Sequence, residues 1–363
     1  MRTPCCGFIG LGLIGGSIAR ALRIAYPQMR MIAFDKDKAT LKLAEADHVI
    51  NESFPFIGTQ FSTCDIIFLC APVSHNAENL QEIKKYLSPD TLLTDVGSVK
   101  TDIHTHIKNA GLEKQFIGGH PMAGSERTGY LNSKAMLLEN AYYILTPTSE
   151  VSQDKITMYE ELVTNMGAIP FVLDYATHDY ITAAVSHVPH VISAALVNLI
   201  HDHDSSDNLM RMIAAGGFKD ITRISSSSAL MWQQICMTNQ VNIVKLLDDY
   251  IDSLSAIRSS ISSEDATQLY DFFDGARIYR DSFSNRPNGP IKKNFAIKID
   301  IPDHPGSLAT IVTLLSEHNI NIKNIGIAHN REYEEGLLSL EFYEESSHDA
   351  AYKLLTQNGY NVH

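Results

Sequence analysis

The chain has 363 residues, 44% hydrophobic and 20% charged, which fits a globular protein of two or three domains. Its net charge of −13 argues against a nucleic-acid surface, because phosphate binding needs clustered Lys and Arg, and it means that an anionic ligand must meet a local positive site. Cys5, Cys6, Cys64, Cys70 and Cys236 form no CxxC pair, so reduced thiols in a cytoplasmic protein are the simplest reading.

Residues 5–19 are apolar enough to imitate a signal-peptide core, but glycines recur within them at fixed spacing, which a signal sequence does not need. No other apolar run is expected to span a bilayer. Residues 5–9 read as a short buried strand, followed by Gly10-x-Gly12-x-x-Gly15 and an apolar helix. In that context Gly10 makes a tight turn, Gly12 lets the backbone approach a pyrophosphate, and Gly15 allows the helix to pack closely on the strand. A second strand, residues 29–34, ends at Asp35, whose carboxylate suits the ribose hydroxyls of NAD and repels a 2′-phosphate. Lys36 and Lys38 beside it weaken the discrimination against NADP.

The run 66–72 is continuously apolar, as in a parallel strand covered on both faces, and its end at Ala71-Pro72 is expected beside the cofactor. Residues 91–95 form the next strand, ending in Val96-Gly97-Ser98-Val99-Lys100 ahead of a helix to 108. Ser98 is either a helix N-cap or a hydroxyl offered to a ligand at the sheet edge. Then comes Gly118-Gly119-His120-Pro121-Met122-Ala123-Gly124-Ser125-Glu126. Glycines and a proline around one histidine suit a side chain presented at a strand end rather than packed in a core; the alternative is a tight turn that happens to contain a histidine. Strands at 141–146 and 169–173, with a helix at 155–166 between them, close a Rossmann-type doubly wound α/β domain over residues 1–173.

From Tyr175 the pattern turns helical. One helix is expected from Thr177-His178-Asp179 through Ser186-His187-Val188-Pro189-His190 to about 200, kinked at Pro189, with 179, 183, 186 and 190 on one face. No third ligand is placed to make His187 and His190 a metal site, and none is expected. Gly216-Gly217 should break the next helix just before Lys219-Asp220-Ile221-Thr222-Arg223. Arg223 is either a carboxylate clamp, through two parallel hydrogen bonds, or an ordinary surface ion pair. Trp232 reads as core. Amphipathic helices at 240–261 and 266–283 are candidates for a dimer interface, so residues 174–283 form an all-helical domain. A linker at 284–293 leads to a β-α-β-β-α module over 294–363, with a clipped last strand, in ferredoxin-like order.

Together these motifs resemble the prephenate dehydrogenase family, which includes arogenate dehydrogenases, in its form with a C-terminal ACT domain. The markers are the glycine loop, Asp95 to Lys100, the Gly-Gly-His-Pro-x-Ala-Gly block, Ser-His-x-Pro-His at 186–190, Phe218 to Arg223, and Asp303-x-Pro305-Gly306-x-Leu308. The resemblance spans essentially the whole chain. It implies a homodimer that uses NAD to convert prephenate to 4-hydroxyphenylpyruvate in tyrosine biosynthesis, under amino-acid feedback by tyrosine or phenylalanine at the ACT domain. Arogenate dehydrogenase, or an enzyme accepting both substrates, is the near alternative; a non-catalytic amino-acid sensor is the distant one. By resemblance His120 is the catalytic base, Ser98 orients it and contacts ligand, and Arg223 binds substrate carboxylate. His190 and Ser186 line the pocket, and Glu126, Asp179 and Lys219 form an ionic cluster at its mouth. The cofactor contacts are Gly10, Gly12, Leu13, Ile14, Gly15, Asp35, Ala71, Pro72 and Ser98.

Overall fold

The computed structural model describes residues 4–125, 127–285, 295–302, 304–329 and 335–362. Glu126, Asp303, most of the expected linker and His363 lie outside the described residues. The chain divides into two compact units, Met1–Phe273 and Asp274–His363.

In the first unit, strands β1 (Cys5–Ile9), β2 (Arg30–Phe34), β3 (Glu52–Phe54), β4 (Ile66–Leu69) and β5 (Leu92–Asp95) form a parallel sheet in the order β3-β2-β1-β4-β5. Helices α1 (Leu13–Ala25), α2 (Lys38–Ala46), α3 (Val73–Ile83) and α4 (Thr101–Ala110) follow successive strands. Alternate residues of one strand feed two separate cores, as a sheet covered on both faces requires. Cys6 and Phe8 of β1 join Ile66 and Phe68 of β4 in one core, whereas Cys5 and Ile9 join Ile67 and Leu69 in the other. The Phe8 and Phe68 rings stack at 5.1 Å in the first of these.

β6 (Ile117–Pro121), β7 (Tyr142–Pro147) and β8 (Ile169–Val172) form a second sheet, with α5 (Gln153–Asn165) between the last two strands. β6 runs antiparallel to β7, and β7 parallel to β8. One parallel bridge, Leu93 to Phe116, joins the two sheets and leaves the carboxyl ends of β5 and β6 on the same side. His120 is the penultimate residue of β6, at a strand end as expected, but only 8% exposed, so it is buried there rather than presented.

The expected kinked helix is two helices, α6 (Tyr175–Thr182) and α7 (Val188–His203), joined by a π turn at Ala183–His187. Pro189 stands in the first turn of α7, where a missing N–H leaves little unsatisfied, and the π turn absorbs the distortion. This places His187 on the buried face with Asp179 and Ala183 and leaves Ser186 half-exposed. By length and a mean hydropathy of 1.5 the stretch Tyr175–His203 passes as a membrane span, contrary to the expectation that no such run exists. Its buried polar groups are nevertheless hydrogen-bonded within the protein, including His178, Asp179 and His187. Helices α8 (Leu209–Ile213), α9 (Gly216–Thr222), α10 (Ala229–Thr238), α11 (Gln240–Ser262) and α12 (Ala266–Asp281) follow, with the break falling at Ala214-Ala215 and the glycines opening α9.

In the second unit, β9 (Phe295–Pro302), α13 (Ser307–Glu317), β10 (Ile322–His329), β11 (Glu335–Phe342) and α14 (Glu345–Gln357) give a three-stranded antiparallel sheet in the order β10-β11-β9. Ile297, Ile299 and Ile301 alternate into its core. The clipped last strand is a single bridge from Val362 to Ile299.

His104 of α4 fastens the sheet to the helical half. Its Nε2 is 2.9 Å from the Thr146 hydroxyl of β7, and its ring stacks on Tyr175 of α6 at 4.6 Å. Burial is the main force holding both His104 and His187 down to about 4. Their folded values lie below the ordinary value of about 6.5, so the unfolded chain takes up protons first as the pH falls. Their contribution to stability is therefore complete above about pH 6.5 and is lost as the pH drops toward 4. The thermal midpoint should stay level above about pH 7 and fall between about 6.5 and 4, less steeply in His104→Gln. A midpoint unchanged from pH 7 to pH 5 would refute the assignment.

Candidate active site

The ends of β1, β2 and β4 form a cradle. Gly10 has φ +100°, and a Cβ there would meet Ala71 N at 2.8 Å. A Cβ at Gly15 would come within 2.5 Å of Gly10 O, so α1 packs on the loop only through glycine. Gly12 is open to its surroundings, and no side chain caps the N-terminus of α1 there. First-turn amides, open backbone and a helix dipole together suit an anionic pyrophosphate. Asp35 accepts the Leu11 N–H at 2.7 Å and the Asp37 N–H at 2.8 Å, bracing the loop beside the end of β2. Leu13 and Ile14 begin α1, and Ala71-Pro72 follow β4 against Gly10. These residues fit a dinucleotide.

At the neighbouring strand end, a chain of three side chains runs through the interior. His120 Nδ1 is 2.8 Å from His178 Nε2, and His178 Nδ1 is 2.8 Å from Asp179 Oδ1. Asp179 also accepts the backbone N–H groups of Lys100 at 2.7 Å and Thr101 at 2.8 Å, so it caps α4. Burial opposes ionisation of Asp179, but the bonds from His178, Thr101 and Lys100 prevail and hold its carboxyl below the ordinary range. A carboxylate can only accept, so His178 Nδ1 carries a hydrogen. A neutral His178 then has a bare Nε2, which accepts from His120 Nδ1–H. The other ring nitrogen of His120 is left as a lone pair. Burial, with the nearby His178, Lys100 and His187 adding to it, holds His120 well below 6.5, so the ring is neutral at pH 7.

Two expected roles change. Asp179 is fully buried and bonded within this chain, so it is not part of a pocket-mouth cluster. Ser98 is half-buried and, among the described residues, makes no hydrogen bond to His120, whose Nδ1 meets His178 instead. Nor is Ser98 the helix cap, since Asp179 supplies that from 79 residues away. Sequence reasoning passed over His178, and its signal was a His-Asp pair opening an otherwise apolar helix.

On the helical side, His190 Nδ1 donates to Ser186 O at 2.9 Å, and its ring stacks on Trp232 at 3.7 Å. Burial lowers the pKa of His190, and the charge of Arg223 acts in the same direction. Trp232 is half-buried rather than in a core, and its indole Nε1 is buried without a hydrogen-bond partner among the described residues. His187 turns away from His190 to Asn239, at 3.1 Å, so the two do not converge as metal ligands. Asn239 also donates to Asp179 O at 2.7 Å. Arg223 is exposed at the end of α9, and Lys219 is exposed one turn earlier. Ser193 of α7 ties down that segment through Ile221 O at 3.2 Å.

Comparison with known proteins agrees with this geometry. The family model described as "Prephenate dehydrogenase, nucleotide-binding domain" matches residues 18–171, the corresponding dimerization domain matches 174–274, and an ACT domain matches 295–335. A prephenate dehydrogenase of Bacillus subtilis (strain 168) is 35% identical over 348 residues, 94% of this chain and 93% of its own. A crystal structure of prephenate dehydrogenase from A. aeolicus with hydroxyphenyl propionate and NAD+ superposes with a TM-score of 0.73 at 28% identity, over 78% of this chain and 99% of that one. An arogenate dehydrogenase from Synechocystis gives 0.69 at 29% identity, over 77% of this chain and 99% of that one. The glycine cradle, the buried histidine at the β6 end and the matching helical and ACT segments thus have one origin, and the chain belongs to the prephenate dehydrogenase family of NAD-dependent oxidoreductases.

Proposed function

We propose that this protein oxidatively decarboxylates prephenate to 4-hydroxyphenylpyruvate with NAD, in tyrosine biosynthesis, using His120 as the base. The observation that carries the reading is the buried chain from His120 through His178 to Asp179, beside the strand ends that form the cofactor cradle. When bound, NAD supplies the hydride acceptor. His120 takes the proton of the substrate's ring hydroxyl as hydride leaves the carbon that bears it. The imidazolium so formed shares its Nδ1–H with His178, which Asp179 holds in place. As carbon dioxide departs and the ring becomes aromatic, the oxygen takes a proton back and His120 ends neutral. The guanidinium of Arg223 pairs with a substrate carboxylate, Ser98 offers its hydroxyl to the ligand, and Ser186 and His190 line the pocket.

The likeness to the Synechocystis arogenate dehydrogenase supports a second reading, in which arogenate is a substrate as well as or instead of prephenate. A homodimer is part of the proposal. It rests on the dimerization-domain match and on the exposed apolar side chains of the helical half, among them Met212, Ile213, Val241 and Ile251. The five cysteines are all free thiols, in keeping with a cytoplasmic enzyme.

Purified protein with NAD and either prephenate or arogenate should produce NADH absorbance, and none from either would end the enzyme reading. His120→Asn should lower kcat by a factor of roughly 100 or more with little change in prephenate binding. Turnover surviving at saturation would remove His120 as base. Arg223→Ala should mainly raise the Michaelis constant for prephenate, by about tenfold or more, because an arginine–carboxylate pair contributes to binding before the reaction begins. An unchanged constant would count against the clamp. Full-length protein should bind tyrosine or phenylalanine by calorimetry, and truncation before residue 294 should abolish it. Binding retained in the truncated protein would move the effector site out of the ACT domain.

A further inference from the structure

The two sheets meet in one bridge, Leu93 to Phe116, yet β5 continues to Asp95 and β6 to Pro121. Beyond the bridge, side chains take the place of the missing ladder. Asp95 Oδ1 accepts the Gly119 N–H at 3.3 Å, and the ammonium of Lys100 donates to Gly119 O at 2.7 Å. Lys100 and Asp95 are themselves paired at 2.5 Å and both buried. The fit is close enough that a Cβ on Gly119 would meet Asp95 O at 2.6 Å. Both polar groups of the residue just before His120 are therefore held by one buried ion pair. The Lys100 backbone N–H, in turn, is bonded to Asp179, the carboxylate that fixes His178.

We propose that Lys100 is a positioning residue for His120, holding the strand end from which the ring projects through Gly119 and Asp95, and the ring's own partner through Asp179. A buried ion pair adds little to stability compared with an apolar pair of similar volume, so its position behind the base points to the site rather than the fold. The inference rests on the reading of His120 as base. Two further effects follow from the same geometry. The cation lies near enough to disfavour protonation of His120, alongside His178 from α6 and His187 from the π turn. Burial lowers the pKa of Lys100 itself, and Asp95 from β5 and Asp179 from α6 oppose that by favouring its charge.

The test compares Lys100→Met, Lys100→Arg and the double variant Lys100→Met/Asp95→Asn, which leaves no orphan charge, in the full-length enzyme with prephenate and NAD. The double variant should have a thermal midpoint close to that of the parent, yet its kcat should fall by about 30-fold or more, with both Michaelis constants within about threefold. The acid limb of its kcat/KM profile should move to higher pH, because the charge opposing protonation of His120 is gone. Lys100→Arg keeps the cation and should return the limb to the parent position and recover most of kcat. Parent-like kcat in the double variant would overturn the proposal. So would an arginine variant no better than methionine, or a kcat loss matched by equal losses in substrate and cofactor binding. A parent-like kcat in His120→Asn would instead overturn the base assignment, whatever Lys100 does.

Discussion

A single buried carboxylate organises the reacting end of this protein. Asp179 is taken out of water, which is tolerable only because three donors converge on it: the imidazole of its neighbour His178 and two backbone amides at the start of α4. Those donors come from different parts of the chain, so one charge joins the helical half to the nucleotide-binding half. The N-terminus of α4 gains an anionic cap, favourable both as a hydrogen-bond acceptor and against the helix dipole. Because the carboxylate can only accept, it also requires a hydrogen on Nδ1 of His178, the ring that meets His120. The hydrogen-bond partner of His120 is thus held by the same carboxylate that fastens the two halves together.

Burial then acts on the site as a whole. It lowers the pKa values of His104, His120, His187 and His190 alike, so these four rings add no positive charge at neutral pH. Positive charge for an anionic substrate must come from groups that burial does not neutralise. The guanidinium of Arg223, in its exposed place at the end of α9, is suited to this. The cofactor side meets the same need without any side-chain cation, by open backbone amides at the start of α1. An acidic chain of net charge −13 can in this way offer two separate local positive sites to anionic ligands.

What the sequence disclosed was local in character. The glycine loop, the parallel strands and Asp35 were legible because their meaning lies in spacing along a few tens of residues, and the ferredoxin-like order of the last module follows from alternating runs. His120 was legible as a special residue at a strand end, but its burial was misjudged: the glycines before it suggested a presented side chain, and they instead allow a crowded strand, with Asp95 O beneath Gly119. The part of His178 escaped notice because its partner His120 is 58 residues away, and that of Lys100 because its burial and its bond to Gly119 show only in the fold. Ser98 was over-read for the complementary reason, since the real cap of α4 comes from elsewhere in the chain. The π turn was invisible because a proline in an apolar helix announces a distortion without saying how the backbone will absorb it.

This division of labour bears on substrate choice. Prephenate and arogenate share the ring hydroxyl and differ only in the side chain, where a keto group stands in one and an amine in the other. The base, its histidine partner and the carboxylate behind them act on the shared part and are blind to the difference. Discrimination therefore has to come from whatever meets the side chain, and on the helical side the available groups are His190, Trp232, Ser186 and Arg223. His190 is informative here because its Nδ1–H is committed to Ser186 O. A neutral ring in that arrangement offers an acceptor at its other nitrogen, not a donor. An ammonium could use such an acceptor and a keto oxygen could not, whereas the buried, unpartnered indole N–H of Trp232 offers the opposite polarity. The two rings stack at 3.7 Å, so an acceptor and a donor belong to one stacked pair. The shared fold of a prephenate and an arogenate dehydrogenase is consistent with that view, because nothing in the sheet or the relay has to change for the preference to change.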